Sequence, residues 1–256
     1  MAVRARHRDQ AAAKVSRDRS ARRARSVVLA LAGLVGGCAS QPPAPDWQVN
    51  ASSALERSLD AWLAGDTRIA DQEFEHVRSE VARTGQPALL ARAELARCAA
   101  RVASLVLEPC AGYESLARDA ESPEQAYAAY LAGHATPADA DRLPERHRPL
   151  AAPAATPAGD LAAIGAMQDP LARLVGAAVS LQSGRADAQV VALAVETASA
   201  QGWRRPLLAW LEVQARQAAA SGDPEGEARV RRRLALIGPP ADPSASIRPS
   251  PPAERP

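Results

Sequence analysis

Apolar residues recur every three or four positions through almost the whole stretch between Trp47 and Ile237. This is the spacing of amphipathic α-helices, and the alternation that marks β-strands is missing there. Glycine or proline interrupts the pattern at short intervals, as expected where one helix ends and the next begins. The sequence therefore predicts an all-α fold of about nine helices.

A Gly-Asp pair separates the first two predicted helices, with a small residue and an aromatic residue following at helical spacing. The positions concerned are Trp62, Gly65, Asp66, Ala70, Phe74 and Val77. Glycine tolerates the unusual torsions of a tight turn, and a small side chain lets two helices cross closely. The spacing resembles the middle of a tetratricopeptide repeat (TPR), which implies a TPR-like α-solenoid stack of antiparallel helical hairpins.

Two echoes along the chain agree with a repeat architecture. Ala61–Gly65 is matched by Ala129–Gly133 at an offset of 68 residues, which is twice the TPR length of about 34. Glycine turns at Gly184 and Gly222 lie 38 residues apart. The pattern predicts further hairpins in the C-terminal part of the chain.

The predicted helical domain spans residues 47–237. His134 to Thr156 contains several prolines and could connect two halves, 47–133 and 157–237. One domain and two halves are both compatible with the sequence. Residues 238–256 are so rich in proline, serine and alanine that we predict a disordered tail without a core.

The N-terminal residues have the three parts of a secretory signal. Arginines at 22, 23 and 25 precede an uncharged apolar run from Val27 to Val35, and Gly36-Gly37 follow as small residues. A run of this length is too short to span a bilayer, which takes about 20 apolar residues. A leader that is cleaved is therefore favoured over a simple membrane anchor.

The stretch Leu34-Val35-Gly36-Gly37-Cys38 resembles the end of a bacterial lipoprotein signal peptide. The resemblance implies that residues 1–37 are removed and that Cys38 is acylated, with 38–46 as lipidated cysteine and tether. Several acyl chains would hold the protein firmly, because each buried CH₂ contributes about 0.8 kcal/mol. In the proteobacterial members of that family, the lack of an Asp after the cysteine implies the periplasm-facing inner leaflet of the outer membrane. A soluble secreted protein is the remaining alternative.

Charge argues against nucleic acid as a partner. The chain has 31 basic and 29 acidic residues, but residues 1–37 hold 9 and 2 of these, leaving 22 and 27 in the remainder. The basic excess lies in the leader, and the processed protein is acidic. A nucleic-acid-binding surface needs a basic excess.

Cys98 and Cys110 remain as an even pair once Cys38 is lipidated. In an oxidising compartment such a pair is predicted to form a disulfide. The alternative is two buried thiols that act as small apolar side chains.

No motif in the sequence indicates catalysis. The four histidines lie far apart, and we find no glycine-rich phosphate loop, no serine elbow and no zinc-binding His-Glu-x-x-His helix. We therefore predict no enzymatic activity, no metal and no cofactor.

Five aromatic residues are candidates for contacting a partner, with helix packing as their alternative role. They are Trp62, Tyr127, Tyr130, Trp203 and Trp210. The resemblance implies a lipid-anchored scaffold that binds another cell-envelope protein. The alternatives are a cell-wall-associated enzyme or peptidoglycan-interacting protein and a passive structural lipoprotein.

Overall fold

Helices are the only regular elements in the part of the chain that the structure describes. The computed structural model describes residues 43–151 and 156–238. The α-helices there are α1 (Asp46–Ala64), α2 (Thr67–Ala82), α3 (Pro87–Ala103), α4 (Ala111–Glu114), α5 (Ser122–Leu131), α6 (Arg148–Ala151), α7 (Pro157–Ala166), α8 (Pro170–Gln182), α9 (Ala188–Ala200), α10 (Arg204–Ala220) and α11 (Pro224–Ile237). Nine of these have ten residues or more. The predicted all-α fold with about nine helices is confirmed.

The first two helices form the predicted hairpin. Gly65 ends α1 with a φ of 107°, and Asp66 begins α2 by accepting a hydrogen bond from the Ile69 N–H at 3.0 Å. The Ser58 hydroxyl donates to the Ala70 carbonyl at 2.7 Å, which is possible because Ala70 brings no bulk to the crossing. The short turn and the small crossing residue thus play the roles that their types predict.

The C-terminal helices show the same glycine turn and aspartate N-cap as the first hairpin. Gly184 and Gly222 have φ angles of 68° and 71° in the turns that precede α9 and α11. Asp187 and Asp223 then cap these helices, accepting hydrogen bonds from backbone N–H groups of the first turn. An aspartate in this position satisfies donors that the helix itself leaves unpaired.

Helix α3 lies at the centre of the packing. It contacts α1, α2, α5 and α8, and Ala91, Leu95, Cys98 and Val102 along it are buried. In an open solenoid each repeat contacts only its neighbours. Here α3 also packs on α8, and α10 packs on α1, so that contacts between distant hairpins add to the stack.

Two tryptophans, one on α1 and one on α10, donate hydrogen bonds to the C-terminal turn of α3. The Trp62 indole N–H donates to the Ala100 carbonyl at 3.1 Å, and that of Trp210 donates to the Ala103 carbonyl at 3.0 Å. Carbonyls in the last turn of a helix lack partners within the helix. The two indoles satisfy this need while their rings fill the core.

Arg205 ties α10 to the first hairpin. Its guanidinium lies 3.9 Å from the centre of the Trp62 ring, and its Nε donates to the Trp62 carbonyl at 2.7 Å. Burial, together with the charge of Arg101, lowers the pKa of Arg205.

The predicted pairing of Cys98 with Cys110 is present in the structure. The two sulfurs are joined and the Cα atoms lie 5.7 Å apart. The backbone turns back at Leu105, whose φ of 58° is unusual for a leucine. Closing a loop of this size contributes about 3 kcal/mol in the chain-entropy description.

The proline-rich segment after α5 is built from short elements. Two 3₁₀ helices, Pro137–Arg142 and Glu145–His147, precede the four-residue α6. Leu143, His147 and Leu150 of this segment are buried. The segment therefore contributes to the core as well as connecting α5 to α7.

Several sequence predictions lie outside the described residues. These are the leader 1–37, the lipidated Cys38 and the tail after Gly238. Within 43–151 and 156–238, no helix has both the length and the apolar character needed to cross a membrane.

Candidate functional site

A cavity of about 480 Å³ opens between α3, α5, α8 and the 3₁₀ helix pair. The cavity lies where α3 packs against α8, and α5 and the proline-rich segment form the rest of its wall. The apolar wall includes Leu59, Leu95, Ala96, Ala99, Leu143, Leu171, Ala172 and Val175. The polar and aromatic wall includes Arg92, Glu124, Tyr127, Arg142, Arg146, His147 and Asp169.

Tyr127 lines the cavity beside two rings that are fully buried. The Tyr127 ring lies 6.0 Å from that of Tyr130 and 5.9 Å from that of His147, measured between centres. The Tyr130 hydroxyl and the His147 Nδ1 are hydrogen-bonded at 3.0 Å. The tyrosines stand on α5 one helical turn apart, so both face the 3₁₀ segment that carries His147.

The three groups keep fixed protonation states around neutral pH. Burial, aided by the charge of Arg146, lowers the pKa of His147 from 6.5 to about 4. Burial raises the pKa of the Tyr127 and Tyr130 phenols. The imidazole is therefore neutral and both phenols are protonated, so this wall offers ring surface and hydrogen bonds without charge.

The protein is expected to lose stability as the pH falls from 6.5 to 4, because of His147. Its pKa is lower in the folded chain than in the unfolded one, so the unfolded chain binds the proton more readily in this range. At about 1.4 kcal/mol per pH unit, the contribution that is present above pH 6.5 and lost below pH 4 amounts to about 3 kcal/mol. Urea unfolding at several pH values measures it.

His147→Gln removes this titrating group and should flatten that part of the pH profile. The matched control is His134→Gln, at an exposed position. A profile that keeps its slope in His147→Gln would contradict the assignment.

Glu124 carries a buried carboxylate in the cavity wall. The residue is only 7% exposed, and its Oε1 accepts a hydrogen bond from Arg92 Nε at 2.5 Å. Its Oε2 is buried and has no hydrogen-bond partner among the described residues. Glu124 also raises the pKa of Arg92. One oxygen of this carboxylate is thus paired with Arg92, and the other is covered by surrounding atoms and has no protein donor.

Three charged residues of the cavity wall, Arg142, Arg146 and Asp169, belong to ion pairs. Arg146 Nη1 lies 2.9 Å from Asp169 Oδ2, and Arg142 Nη1 lies 3.5 Å from Asp139 Oδ1. All four side chains are at least partly exposed. Such pairs contribute little to stability, but they place both signs of charge in the cavity wall.

The structure separates the five aromatic candidates. Tyr127 lines the cavity. Trp62, Tyr130 and Trp210 are buried, and their polar atoms bond to Ala100, His147 and Ala103 respectively. The burial of these three rings favours the packing alternative. Trp203 is half-buried, packs against the core and does not line this cavity.

Sequence reasoning missed Glu124, Arg92 and His147 as parts of one site. Ser122-Pro123-Glu124 is the start signal of a helix, and an acidic residue in a first turn is expected there for electrostatic reasons alone. Helix α5 does begin at Ser122, one residue earlier than a capping role for this serine predicts. His147 lies in the proline-rich segment, where no periodic pattern indicates burial.

The cavity has the chemistry of a binding site. Among the described residues no group of three or more His, Cys, Asp or Glu side chains could hold a metal ion. Comparisons with protein-family models, curated proteins and solved structures find no match to the chain. What the cavity can do therefore follows from its own residues: it can take an apolar group between Leu95, Val175 and Tyr127.

Proposed function

We propose that the chain is a lipid-anchored bacterial outer-membrane lipoprotein that faces the periplasm, binds another cell-envelope protein through its helical body and catalyses no reaction. The anchoring part rests on Leu34–Cys38, which resembles a lipoprotein signal. The binding part rests on the described helical body.

The observation that carries the binding proposal is the cavity beside Tyr127. Its volume of about 480 Å³ is in the range of sites that enclose small ligands or inserted side chains. Protein interfaces concentrate their binding energy where an anchor side chain fills such a pocket. Leu95, Leu171 and Val175 supply the apolar wall that an anchor needs.

The disulfide supports the proposed compartment. Bonded cysteine pairs persist in the periplasm and are rare in the reducing cytosol. Cys98 is buried on α3, and its partner Cys110 is half-buried against the same apolar cluster. An acidic processed chain also fits a protein partner better than a polyanion.

Crosslinking in intact cells followed by purification of the tagged chain tests the function. We expect one stoichiometric envelope protein to be recovered with the lipidated chain, and less of it with Cys38→Ser, which cannot be acylated. Palmitate labelling should be lost in the same variant. Recovery of no stoichiometric partner would contradict the scaffold proposal, and labelling that persists in Cys38→Ser would contradict the anchor.

A variant of the cavity wall tests whether the partner binds at this site. Tyr127→Ala removes a ring from the wall and should reduce recovery of the partner, because the anchor loses its aromatic contact. Trp203→Ala is the control, since that aromatic residue does not line the cavity. Equal loss in both variants would point to a general folding defect.

A further inference from the structure

A groove of about 460 Å³ lies against one face of α10, and residues from the end of α11 and from the turn after α1 also line it. We call it the α10 groove. Leu208 and Ala209 in its floor are half-buried, but neither belongs to the apolar clusters that the described residues form. The floor is therefore apolar surface that the described helices leave partly uncovered.

The chain continues from the wall of this groove. Gly238, the last described residue, is one of the residues that line it. Its N–H donates to the Leu234 carbonyl at 3.1 Å, and its carbonyl accepts a hydrogen bond from Arg204 Nη2 at 3.2 Å. Both polar groups of Gly238 are thus held, and consecutive Cα atoms are only about 3.8 Å apart. The segment that begins at Pro239 therefore starts at the groove.

The residues that follow Gly238 have a chemistry that matches the groove. Pro239-Pro240-Ala241 carries two apolar rings and a methyl group, which suit an apolar floor. The two prolines bring carbonyl acceptors and no N–H donor. Arg204 and Arg205 in the wall have guanidinium groups that donate hydrogen bonds and accept none. Donors of the groove and acceptors of the segment are therefore complementary.

The covalent connection selects this segment over a free ligand. Even a short flexible linker gives an effective concentration in the millimolar range, so a free ligand at micromolar concentration would need about a thousandfold higher affinity to compete. Consecutive prolines also favour an extended polyproline conformation, so the segment loses little backbone freedom when it binds.

Charge sets the end of the matching segment. A polyproline helix rises about 3.1 Å per residue, so Asp242 can lie about 12 Å beyond Gly238. Arg204 and Glu212 of α10 are also about 12 Å apart along the helix axis. Glu212 is exposed and lines the groove, so a segment that continued along α10 would bring two carboxylates together. The match therefore ends at Ala241.

We propose that Pro239-Pro240-Ala241 occupy the α10 groove, with the proline rings packed on Leu208 and Leu234 and the carbonyls accepting hydrogen bonds from Arg204 and Arg205. The tail thus covers the groove from within the same chain. This contact depends neither on the lipid anchor nor on an envelope partner, and it leaves the cavity beside Tyr127 as the surface for that partner.

A single thiol in the groove floor tests whether the groove is covered. Ala209→Cys is introduced into the full chain carrying Cys38→Ser, where Cys98 and Cys110 are bonded to each other. The rate of alkylation by N-ethylmaleimide is then measured. Ala219→Cys, at an exposed position on the same helix, gives the rate of an uncovered thiol. We expect the groove thiol to react at least about tenfold more slowly, because it reacts only from the undocked state.

Substitutions in the tail identify the occupant. Pro239→Ser with Pro240→Ser removes both rings and adds two N–H donors that face guanidinium groups, so the Ala209→Cys thiol should react at least about tenfold faster. Pro251→Ser with Pro252→Ser is the matched control, because the same Pro-Pro-Ala sequence recurs there. It should leave the rate unchanged.

Leu208→Ser tests the floor without changing the tail. The docked rings lose an apolar contact, so the groove thiol should become more reactive, and circular dichroism checks that the helical body is still folded. Unchanged protection in a folded Leu208→Ser would contradict the packing of the prolines on this residue.

Three results would overturn the inference. A groove thiol that reacts as fast as Ala219→Cys would show that the groove is open. Protection that survives the substitutions at 239 and 240 would mean a different occupant, and a rate that rises on dilution would identify it as a second copy of the chain. Protection that is lost equally in the control at 251 and 252 would mean that the tail has no preferred segment.

Discussion

Replacing Trp210 with alanine is expected to lower the free energy of unfolding by about 3–5 kcal/mol, the usual cost of truncating a large buried aromatic side chain. Trp210 is fully buried, and its ring belongs to the largest apolar cluster of the described residues. The substitution also leaves the Ala103 carbonyl without its indole donor. Urea unfolding followed by far-ultraviolet circular dichroism measures the change.

Trp210→Phe separates the contribution of ring packing from that of the hydrogen bond to Ala103. It keeps most of the ring packing but removes the N–H, so it should cost about 1–3 kcal/mol, the range for an unsatisfied buried acceptor. Trp203→Ala is the control for a half-buried tryptophan in the same helical region. If Trp210→Ala cost no more than Trp203→Ala, Trp210 would not hold the end of α3 as the structure indicates.

Local signals were enough to predict three of the turns between helices. Gly65, Gly184 and Gly222 all adopt positive φ at the turns where the sequence places them. Asp187 and Asp223 cap the helices that follow. These features depend on residues within one helical turn of each other, and such short-range physics can be read from the sequence.

Burial by a distant element could not be predicted in the same way. Glu94 lies on the face of α3 that its charge assigns to solvent, but it is only 5% exposed. Arg78 of α2 pairs with it, and Gly112 packs so closely that a Cβ there would lie 2.1 Å from Glu94 Oε2. Burial raises the pKa of Glu94, although Arg78 opposes this. Periodicity shows which residues share one face of a helix, but it does not show which other element covers that face.

The candidate site could not be predicted from the sequence for the same reason. Arg92 and Glu124 are 32 residues apart, and Trp210 reaches a carbonyl 107 residues away. Aromatic type suggested Tyr127, which lines the cavity, but it could not distinguish an accessible ring from one whose polar atom is hydrogen-bonded inside the core. That distinction depends on how α3, α8 and α10 pack, which no single helix determines.

The second large effect is expected at Asp160. This aspartate is 1% exposed, and its Oδ2 accepts hydrogen bonds from Ser180 Oγ at 2.7 Å and from Arg185 Nε at 2.8 Å. Arg185 also donates to the Leu150 carbonyl at 3.1 Å. One carboxylate thus joins α7 to α8 and, through Arg185, to α6.

Asp160→Ala should lower the free energy of unfolding by about 3 kcal/mol, near the lower end of the range for removing one member of a buried ion pair. The lower end applies because the Arg185 side chain is 24% exposed and can recover some hydration. Chemical unfolding of the variant and of the parent chain measures the difference. Glu121→Ala, which breaks an exposed ion pair with Arg92, is the control and should cost less than about 1 kcal/mol.

A double-mutant cycle with Arg185→Met tests whether the pair acts as a unit. Arg185→Met alone strands the buried Asp160 carboxylate, whereas the double variant Asp160→Ala with Arg185→Met leaves neither charge unpaired. The double variant should therefore be more stable than the sum of the two single effects predicts, by about 1–3 kcal/mol, as coupled neighbours show. Strict additivity would mean that the carboxylate and the guanidinium contribute independently, and that the link between α6, α7 and α8 is held by apolar packing alone.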